Sequence, residues 1–118
     1  MQSVIPALRI TNPAASITFY VDHLGFQVDW EHRFEVGFPV FMQVQKDGML
    51  LYLTEHAGDC EPGGLVHFLI PDVDAYYRGL LSRNAPITSA PHEGIPGVRS
   101  MTLTDPDGNQ LRFLTRKS

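Results

Sequence analysis

The sequence has little cysteine, no long apolar run and no cluster of basic residues. Its 118 residues include one cysteine, Cys60, so no internal disulfide can form. No apolar stretch approaches the roughly 18 residues that a membrane-spanning helix needs. The N-terminus also lacks the basic segment and apolar stretch of a secretory signal. We therefore expect a cytoplasmic protein with no membrane partner.

The balance of charges argues against a second class of partner. Nine basic residues against thirteen acidic ones give a formal net charge of −4, and the basic residues are scattered except for Arg116 and Lys117. Binding of nucleic acid normally requires a basic face. The sequence therefore predicts no nucleic-acid partner, and its charge suits a cationic small molecule better.

The order of the predicted elements repeats once along the chain. Apolar periodicity predicts strand, helix and three strands in each half, which fits a single α+β domain with one core. In the first half the helix is predicted at 13–23 and the strands at 4–10, 26–34, 40–45 and 49–54. In the second half the helix is predicted at 72–83 and the strands at 65–70, 85–89, 98–104 and 109–115.

Capping and turn residues mark the ends of these elements. Asn12 and Asp72 are suitable helix N-caps, and Gly25 is a suitable helix stop. Lys46-Asp47-Gly48 indicates a tight hairpin, and Asp105-Pro106-Asp107-Gly108 a second turn. The residues predicted to form the buried helix faces are Ile17, Tyr20, Val21 and Leu24, then Val73, Tyr76, Tyr77, Leu80 and Leu81.

Three stretches in this order resemble one known family. They are 8–26, with Ser16-Ile17-Thr18-Phe19-Tyr20 and Leu24-Gly25-Phe26; Ile70-Pro71-Asp72-Val73-Asp74-Ala75; and Asp105-Pro106-Asp107-Gly108-Asn109. They are similar to motifs of the glyoxalase/bleomycin-resistance/extradiol dioxygenase (vicinal oxygen chelate) superfamily. The resemblance implies two βαβββ modules whose curved mixed sheets surround a cleft, at about 1–56 and 64–118 with a linker at 57–63. It also implies a homodimer.

Enzymes of that superfamily hold a divalent metal with His and Glu side chains. The corresponding positions here are Ile5, Tyr52, Leu65 (or Val66 with a one-residue slip) and Arg112, none of which is a metal ligand. Arginine stays protonated and repels a cation. We therefore expect no metal and no cofactor, and a binding protein more than an enzyme.

Strand alternation predicts which side chains line the cleft. The predicted ligand-binding residues are Tyr52, His67, Arg112, Arg9, Trp30 and Gln110, with Phe41 or Met42 added according to register. Core packing is the alternative for Tyr52 and Trp30, and a place on the sheet surface is the alternative for His67. The aromatic residues expected in the core are Phe19, Tyr20, Phe68, Tyr76 and Phe113. Among the remaining histidines, His92 is a possible loop residue over the cleft, whereas His23, His32 and His56 are expected in solvent.

The leading functional prediction is sequestration of an aromatic, cationic antibiotic or metabolite, as in bleomycin-resistance-type members. Those members commonly carry a Trp-Gly pair before the penultimate strand, where this chain has Ile95-Pro96-Gly97-Val98. The first alternative is a metal-dependent lyase, isomerase or dioxygenase with non-standard ligands such as His67 and His92. The second is a regulatory or interaction module without a small-molecule site.

Overall fold

Two four-stranded mixed sheets carry the fold in the computed structural model, which describes residues 2–116. The first sheet has the order β1-β4-β3-β2 and the second the order β5-β8-β7-β6. The strands are β1 Ala7–Arg9, β2 Gln27–His32, β3 Phe41–Lys46, β4 Met49–Thr54, β5 Leu65–Leu69, β6 Ile87–Ile95, β7 Val98–Thr104 and β8 Gln110–Arg116. The helices are α1 Pro13–Ile17, continued by a π-helical segment Thr18–His23, and α2 Val73–Ser82.

The two halves use the same hydrogen bonds sixty residues apart. Ile10 donates its backbone N–H to Thr54 at the end of β4, and Ile70 donates to Leu114 of β8. The Asn12 side chain caps the first helix by accepting from the Ala15 N–H, and the Asp72 side chain accepts from Ala75. The predicted pair of βαβββ modules is confirmed. We call β1–β4 with α1 the first module and β5–β8 with α2 the second.

One face of each sheet packs against the helices, and the opposite face carries no helix. On the helix side, alternate strand residues are fully buried, among them Leu51 and Leu53 of β4 and Leu111 and Phe113 of β8. Because side chains alternate along a strand, their neighbours project from what we call the open face. The aromatic residues predicted for the core lie on the helix side: Phe19, Tyr20, Phe68 and Phe113 are buried, and Tyr76 is half-buried.

The first helix differs from its prediction in winding. The predicted span of 13–23 is helical, but from Thr18 it adopts π geometry. Phe26 donates to the carbonyl six residues earlier, at Tyr20, whereas Ala85 after α2 donates to Leu80, five residues earlier. The π segment therefore inserts one extra residue relative to α2.

The extra residue also changes which side chains are buried. Ser16 and Phe19 join Tyr20 and Leu24 in the core, and the predicted face residues Ile17 and Val21 are only half-buried. In α2, the predicted core residue Leu81 is half exposed to solvent.

Three predicted strands have clearly the wrong length, and one of them is β2, which covers only Gln27–His32 of the predicted 26–34. The first strand occupies only Ala7–Arg9 of the predicted 4–10, and β6 runs over Ile87–Ile95 instead of 85–89. Strand β6 lies at the sheet edge, and its register against β7 shifts three times, once between Ser89 and His92. Pro91 has no N–H for the ladder, which an irregular edge strand tolerates. His92 is therefore a strand residue, and its prediction as a loop residue was wrong.

The turn before β8 joins the two modules. The buried Asn109 side chain accepts hydrogen bonds from the backbone N–H groups of Gly63 and Gly64, at 3.0 and 2.8 Å. Its Nδ2 donates to the carbonyl of Arg9 in β1 and to the carboxylate of Asp105. All the hydrogen-bonding capacity of this amide is thus used, and three of its four bonds leave the turn.

Asp105 extends this connection to the first helix. Its carboxylate accepts the Tyr20 hydroxyl at 2.7 Å, as well as the backbone N–H groups of Asp107 and Asn109. Burial, with the charge of Asp105, raises the pKa of Tyr20 well above its ordinary value, so the hydroxyl stays a donor.

None of the helices within residues 2–116 combines the length and apolar character that crossing a membrane requires.

Candidate functional site

The open face of the first sheet is aromatic. In register across the sheet, Trp30 of β2 lies beside Gln43 of β3, which lies beside Tyr52 of β4. Phe41, one position further along that face, stacks on Trp30 with ring centroids 6.1 Å apart and an interplanar angle of 16°. The ring centroid of Tyr52 lies 4.9 Å from that of Phe41 and 5.9 Å from that of Trp30. These three rings form a continuous apolar surface, and Trp30 is 42% exposed.

A β-bulge turns Trp30 towards this face. Val28 pairs with Val44, but Trp30 pairs with Gln43, so Asp29 is an extra residue on β2. Because of this extra residue, Val28 packs against the core while Trp30 points the other way. Without the bulge, the two side chains would share the core face.

Trp30 and Phe41 border an open pocket of about 440 Å³ that we call the aromatic pocket. It is lined by Trp30, His32, Phe34, Phe41, His56 and Asp59. Phe34 packs edge-on against His32 and His56, at 4.8 and 6.0 Å between ring centroids. The Asp59 carboxylate accepts the Thr54 hydroxyl at 2.7 Å, which fixes its position at the pocket wall. Flat aromatic surface with one carboxylate suits a planar ligand that carries a positive charge.

The open face of the second sheet is polar. His67 of β5 lies beside Arg112 of β8, which lies beside Thr102 of β7, which lies beside Ser89 of β6. This row borders a second pocket, of about 520 Å³, that we call the polar pocket. Its lining residues are His67, Ser89, His92, Gly94, Ile95, Val98, Ser100, Thr102, Arg112 and Leu114.

The six residues predicted to bind ligand form two pairs, while the remaining two residues lie on different sheets. Trp30 and Tyr52 meet on the first sheet, and His67 and Arg112 are neighbours on the second. Gln110 lies on the open face of β8, beside Thr104, but does not line the polar pocket. Arg9 lies on β1 opposite Thr54, and its buried Nε has no hydrogen-bond partner within the described chain.

Sequence reasoning missed part of the aromatic pocket. His32 and His56, expected in solvent, line it with Phe34 and Asp59, and of the two alternatives at 41 and 42 it is Phe41 that reaches the open face. Met42 is buried in the core. Alternation along β2 was a usable signal for His32, which is two residues beyond Trp30. Nothing local indicates that His56 and Asp59, in the segment after β4, approach the same pocket.

Cys60 has the environment of an unreactive thiol. Its Sγ lies 3.7 Å from the carbonyl oxygen of Ala7 and donates to it. Burial and then the negative charge of Asp59 raise the pKa of the thiol, which disfavours the nucleophilic thiolate.

Comparison with known proteins identifies the family. A family model described as "Glyoxalase superfamily protein" matches residues 1–118. The chain belongs to the glyoxalase superfamily. No protein of curated function matches it significantly in sequence.

Solved structures of other proteins show the same fold. A bleomycin resistance determinant encoded on transposon Tn5 is 24% identical, with all of both chains covered and a TM-score of 0.78. TioX from Micromonospora sp. ML1 is 18% identical over 98% of this chain and 99% of its own, with a TM-score of 0.77. TnmS3, an antibiotic binding protein from Streptomyces sp. CB03234, is 19% identical over 99% of this chain and all of its own, with a TM-score of 0.76.

The metal site of glyoxalase-superfamily enzymes does not fit the residues of this chain. Tyr52 and Arg112 stand on the open faces at two of the expected ligand positions, and Arg112 places a permanent positive charge beside His67. Within residues 2–116, no three His, Cys, Asp or Glu side chains are grouped so that they could hold a metal ion. The described residues on the open faces therefore do not provide the ligand set of such a metal site.

Proposed function

We propose that this protein is a metal-free binding protein that sequesters an aromatic, cationic antibiotic or metabolite without chemical change. One observation carries the proposal: the Trp30, Phe41 and Tyr52 rings form an uncovered platform beside the Asp59 carboxylate. Aromatic rings supply large contact area at little entropic cost, and a carboxylate attracts a cation into the pocket. Two proteins of the same fold are named for bleomycin resistance and antibiotic binding, which supports this choice.

The proposal includes a homodimer. Apolar side chains on the open face of the second sheet are left in solvent, with Leu69 57% and Ile95 67% exposed. A second copy would cover these residues and turn the open pockets into an enclosed cleft. Sedimentation velocity over a range of protein concentrations tests the homodimer, and a monomer at all concentrations would contradict it.

The proposed location is the cytoplasm. The sequence carries this part of the proposal, because the one cysteine needs no oxidising compartment.

Calorimetric titration of metal-free bleomycin at low salt tests the ligand class. We expect saturable binding near one drug molecule per subunit and a loss of at least about tenfold in affinity for Trp30→Ala. Leu81→Ala is the matched control, because Leu81 is an exposed apolar residue on the helix side of the second module. Saturable binding with the same affinity in Trp30→Ala would show that the ligand binds outside the aromatic pocket. Absence of binding would exclude bleomycin as the ligand, and the same titration would then be made with other cationic aromatic compounds.

A further inference from the structure

The polar pocket on the second sheet contains hydrogen-bond donors in one row. Each of the pairs His67–Arg112, Arg112–Thr102 and Thr102–Ser89 is adjacent in register, so the four side chains cross the sheet side by side. Adjacent strands are about 5 Å apart, which places neighbouring members of the row within reach of one small ligand group. The pocket of about 520 Å³ over this row has room for such a group.

Among residues 2–116, no carboxylate lines this pocket. Its polar lining consists of one guanidinium, two imidazoles and three hydroxyl groups. Glu93 is nearby in sequence but lies beside Arg99 in register, and Arg99 projects towards α2 on the helix side. The polar pocket is therefore positive or neutral at every polar side chain that lines it.

Arg112 has no counter-ion within residues 2–116. It is half-buried, and it makes neither a side-chain hydrogen bond nor an ion pair there. Arg99, on the neighbouring strand β7, shows the contrasting case. Its Nε and Nη2 atoms donate to the two carboxylate oxygens of Asp74 at 2.7 and 2.9 Å. The sheet thus pairs one arginine completely and leaves the other facing an open pocket.

We propose that the polar pocket binds an oxyanionic group of the sequestered ligand, a carboxylate, sulfonate or phosphate, with Arg112 as its main donor. A planar guanidinium matches two oxygens of such a group, and charge-assisted hydrogen bonds are about twice as strong as neutral ones. His67 and Thr102 flank Arg112 and supply further donors. This inference rests on the proposed function and narrows it: the ligand combines an aromatic, cationic part with an acidic group.

A pair of fluorescent probes with the same aromatic frame tests the acidic group directly. The probes are 8-anilino-1-naphthalenesulfonate and N-phenyl-1-naphthylamine, which differ in the sulfonate. In the wild-type protein at low salt we expect the sulfonate to bind at least about tenfold more tightly, as a charge-assisted contact implies. Trp30 is the only tryptophan, so energy transfer from it to either probe reports binding near the aromatic pocket.

Substitutions assign the preference to one residue. Arg112→Gln is expected to abolish the preference for the sulfonate while the affinity for the neutral amine stays the same. Arg78→Gln is the matched control, because it removes the same charge from an exposed position on α2. Arg112→Lys serves if the glutamine variant does not fold. It keeps the charge without the planar fork and is expected to reduce the preference by at least about threefold.

The outcomes separate this inference from the proposed function. Equal affinities for the two probes in the wild type, or a preference that the Arg112 variants retain, would overturn the anion site and leave aromatic binding intact. If neither probe binds saturably, or if Trp30→Ala alters the affinity for neither, the proposed function fails and this inference fails with it. A preference lost in Arg112→Gln and kept in Arg78→Gln supports both.

Discussion

The two modules of this chain have the same topology but opposite chemistry on their open faces. Tyr52 and Arg112 occupy equivalent positions, each in the central strand that pairs in parallel with the first strand of its module. Trp30 on the first sheet corresponds in the same way to Ser89 on the second. One face is therefore an aromatic platform, and the other is a row of polar donors.

On the helix side the modules remain alike. Leu51 and Leu53 in β4 correspond to Leu111 and Phe113 in β8, and all four are fully buried. Burial of such side chains contributes about 1.5–3 kcal/mol each to folding, whereas the open faces contribute much less. The residues that stabilise the fold and the residues proposed to bind ligand thus lie on opposite faces of the sheets. Substitutions on one face should leave the property of the other nearly unchanged.

The largest effect is expected from Asn109→Ala, which breaks the connection between the modules. The change removes four hydrogen bonds and leaves part-buried backbone groups of Gly63, Gly64 and Arg9 without their partner. At about 1 kcal/mol for each lost bond, we expect a loss of about 3–4 kcal/mol in the free energy of unfolding, measured in urea.

The hairpin turn of the first module supplies the control for Asn109. Asp47 has a φ of +52° in the turn between β3 and β4, and within residues 2–116 its side chain pairs with Lys46 of the same hairpin and makes no hydrogen bond to the second module. Asn tolerates this conformation, so Asp47→Asn should change stability by less than about 0.5 kcal/mol. Similar losses in the two variants would show that the turn before β8 has no special role in joining the modules.

The second-largest effect is expected on ligand binding, where Trp30 and Ser89 occupy equivalent positions on the two open faces. Trp30→Ala should weaken binding of N-phenyl-1-naphthylamine by about tenfold or more, because the neutral probe depends on ring contacts. Ser89→Ala, at the corresponding position, should change its affinity by less than about twofold, because a single hydroxyl offers little to an apolar probe. Fluorescence titration measures both. A larger effect of Ser89→Ala would mean that the ligand lies on the polar sheet.

The sequence predicted every element in order, and it predicted β4 and β7 to the residue. Each of these strands adjoins a turn whose residues have strong conformational preferences, Asp47-Gly48 in one case and Asp105 to Gly108 in the other. The π segment could not be predicted. Its residue Tyr20 donates to Asp105, which is eighty-five residues away in sequence, and local periodicity does not report such a contact.

The site was predictable only in part, for a related reason. Tyr52, His67 and Arg112 follow simple alternation along regular strands, and all three lie on the open faces. Trp30 does so only because of the bulge at Asp29, which no local residue pattern announces. Asp59 reaches the aromatic pocket through its bond to Thr54, a tertiary contact beyond the reach of periodicity.

A smaller effect on the free energy of unfolding is expected in the π-helical segment Thr18–His23, where the first helix differs from the second. Tyr20→Phe removes the hydroxyl that donates to Asp105, while Asn109 continues to donate to the same carboxylate. We expect a loss of about 1–1.5 kcal/mol in the free energy of unfolding. Tyr77→Phe is the matched control, since the Tyr77 hydroxyl has no hydrogen-bond partner within the described residues. Equal losses in the two variants would show that the hydrogen bond from Tyr20 to Asp105 contributes nothing to the free energy of unfolding.

The smallest effect is expected from the ion pair between Asp74 and Arg99, a contact of the second module alone. The hydrogen bonds from Arg99 hold the pKa of Asp74 below its ordinary value of 3.8. A carboxylate with a lowered pKa stabilises the folded state above its unfolded pKa, and this stabilisation is lost as the pH falls through the folded pKa. Asp74→Asn should therefore lower the melting temperature at pH 7 by no more than about 3 °C, because the pair is exposed. The difference from the wild type should shrink below pH 3.8, and a difference that persists there would show that Asp74 acts through packing and not through its charge.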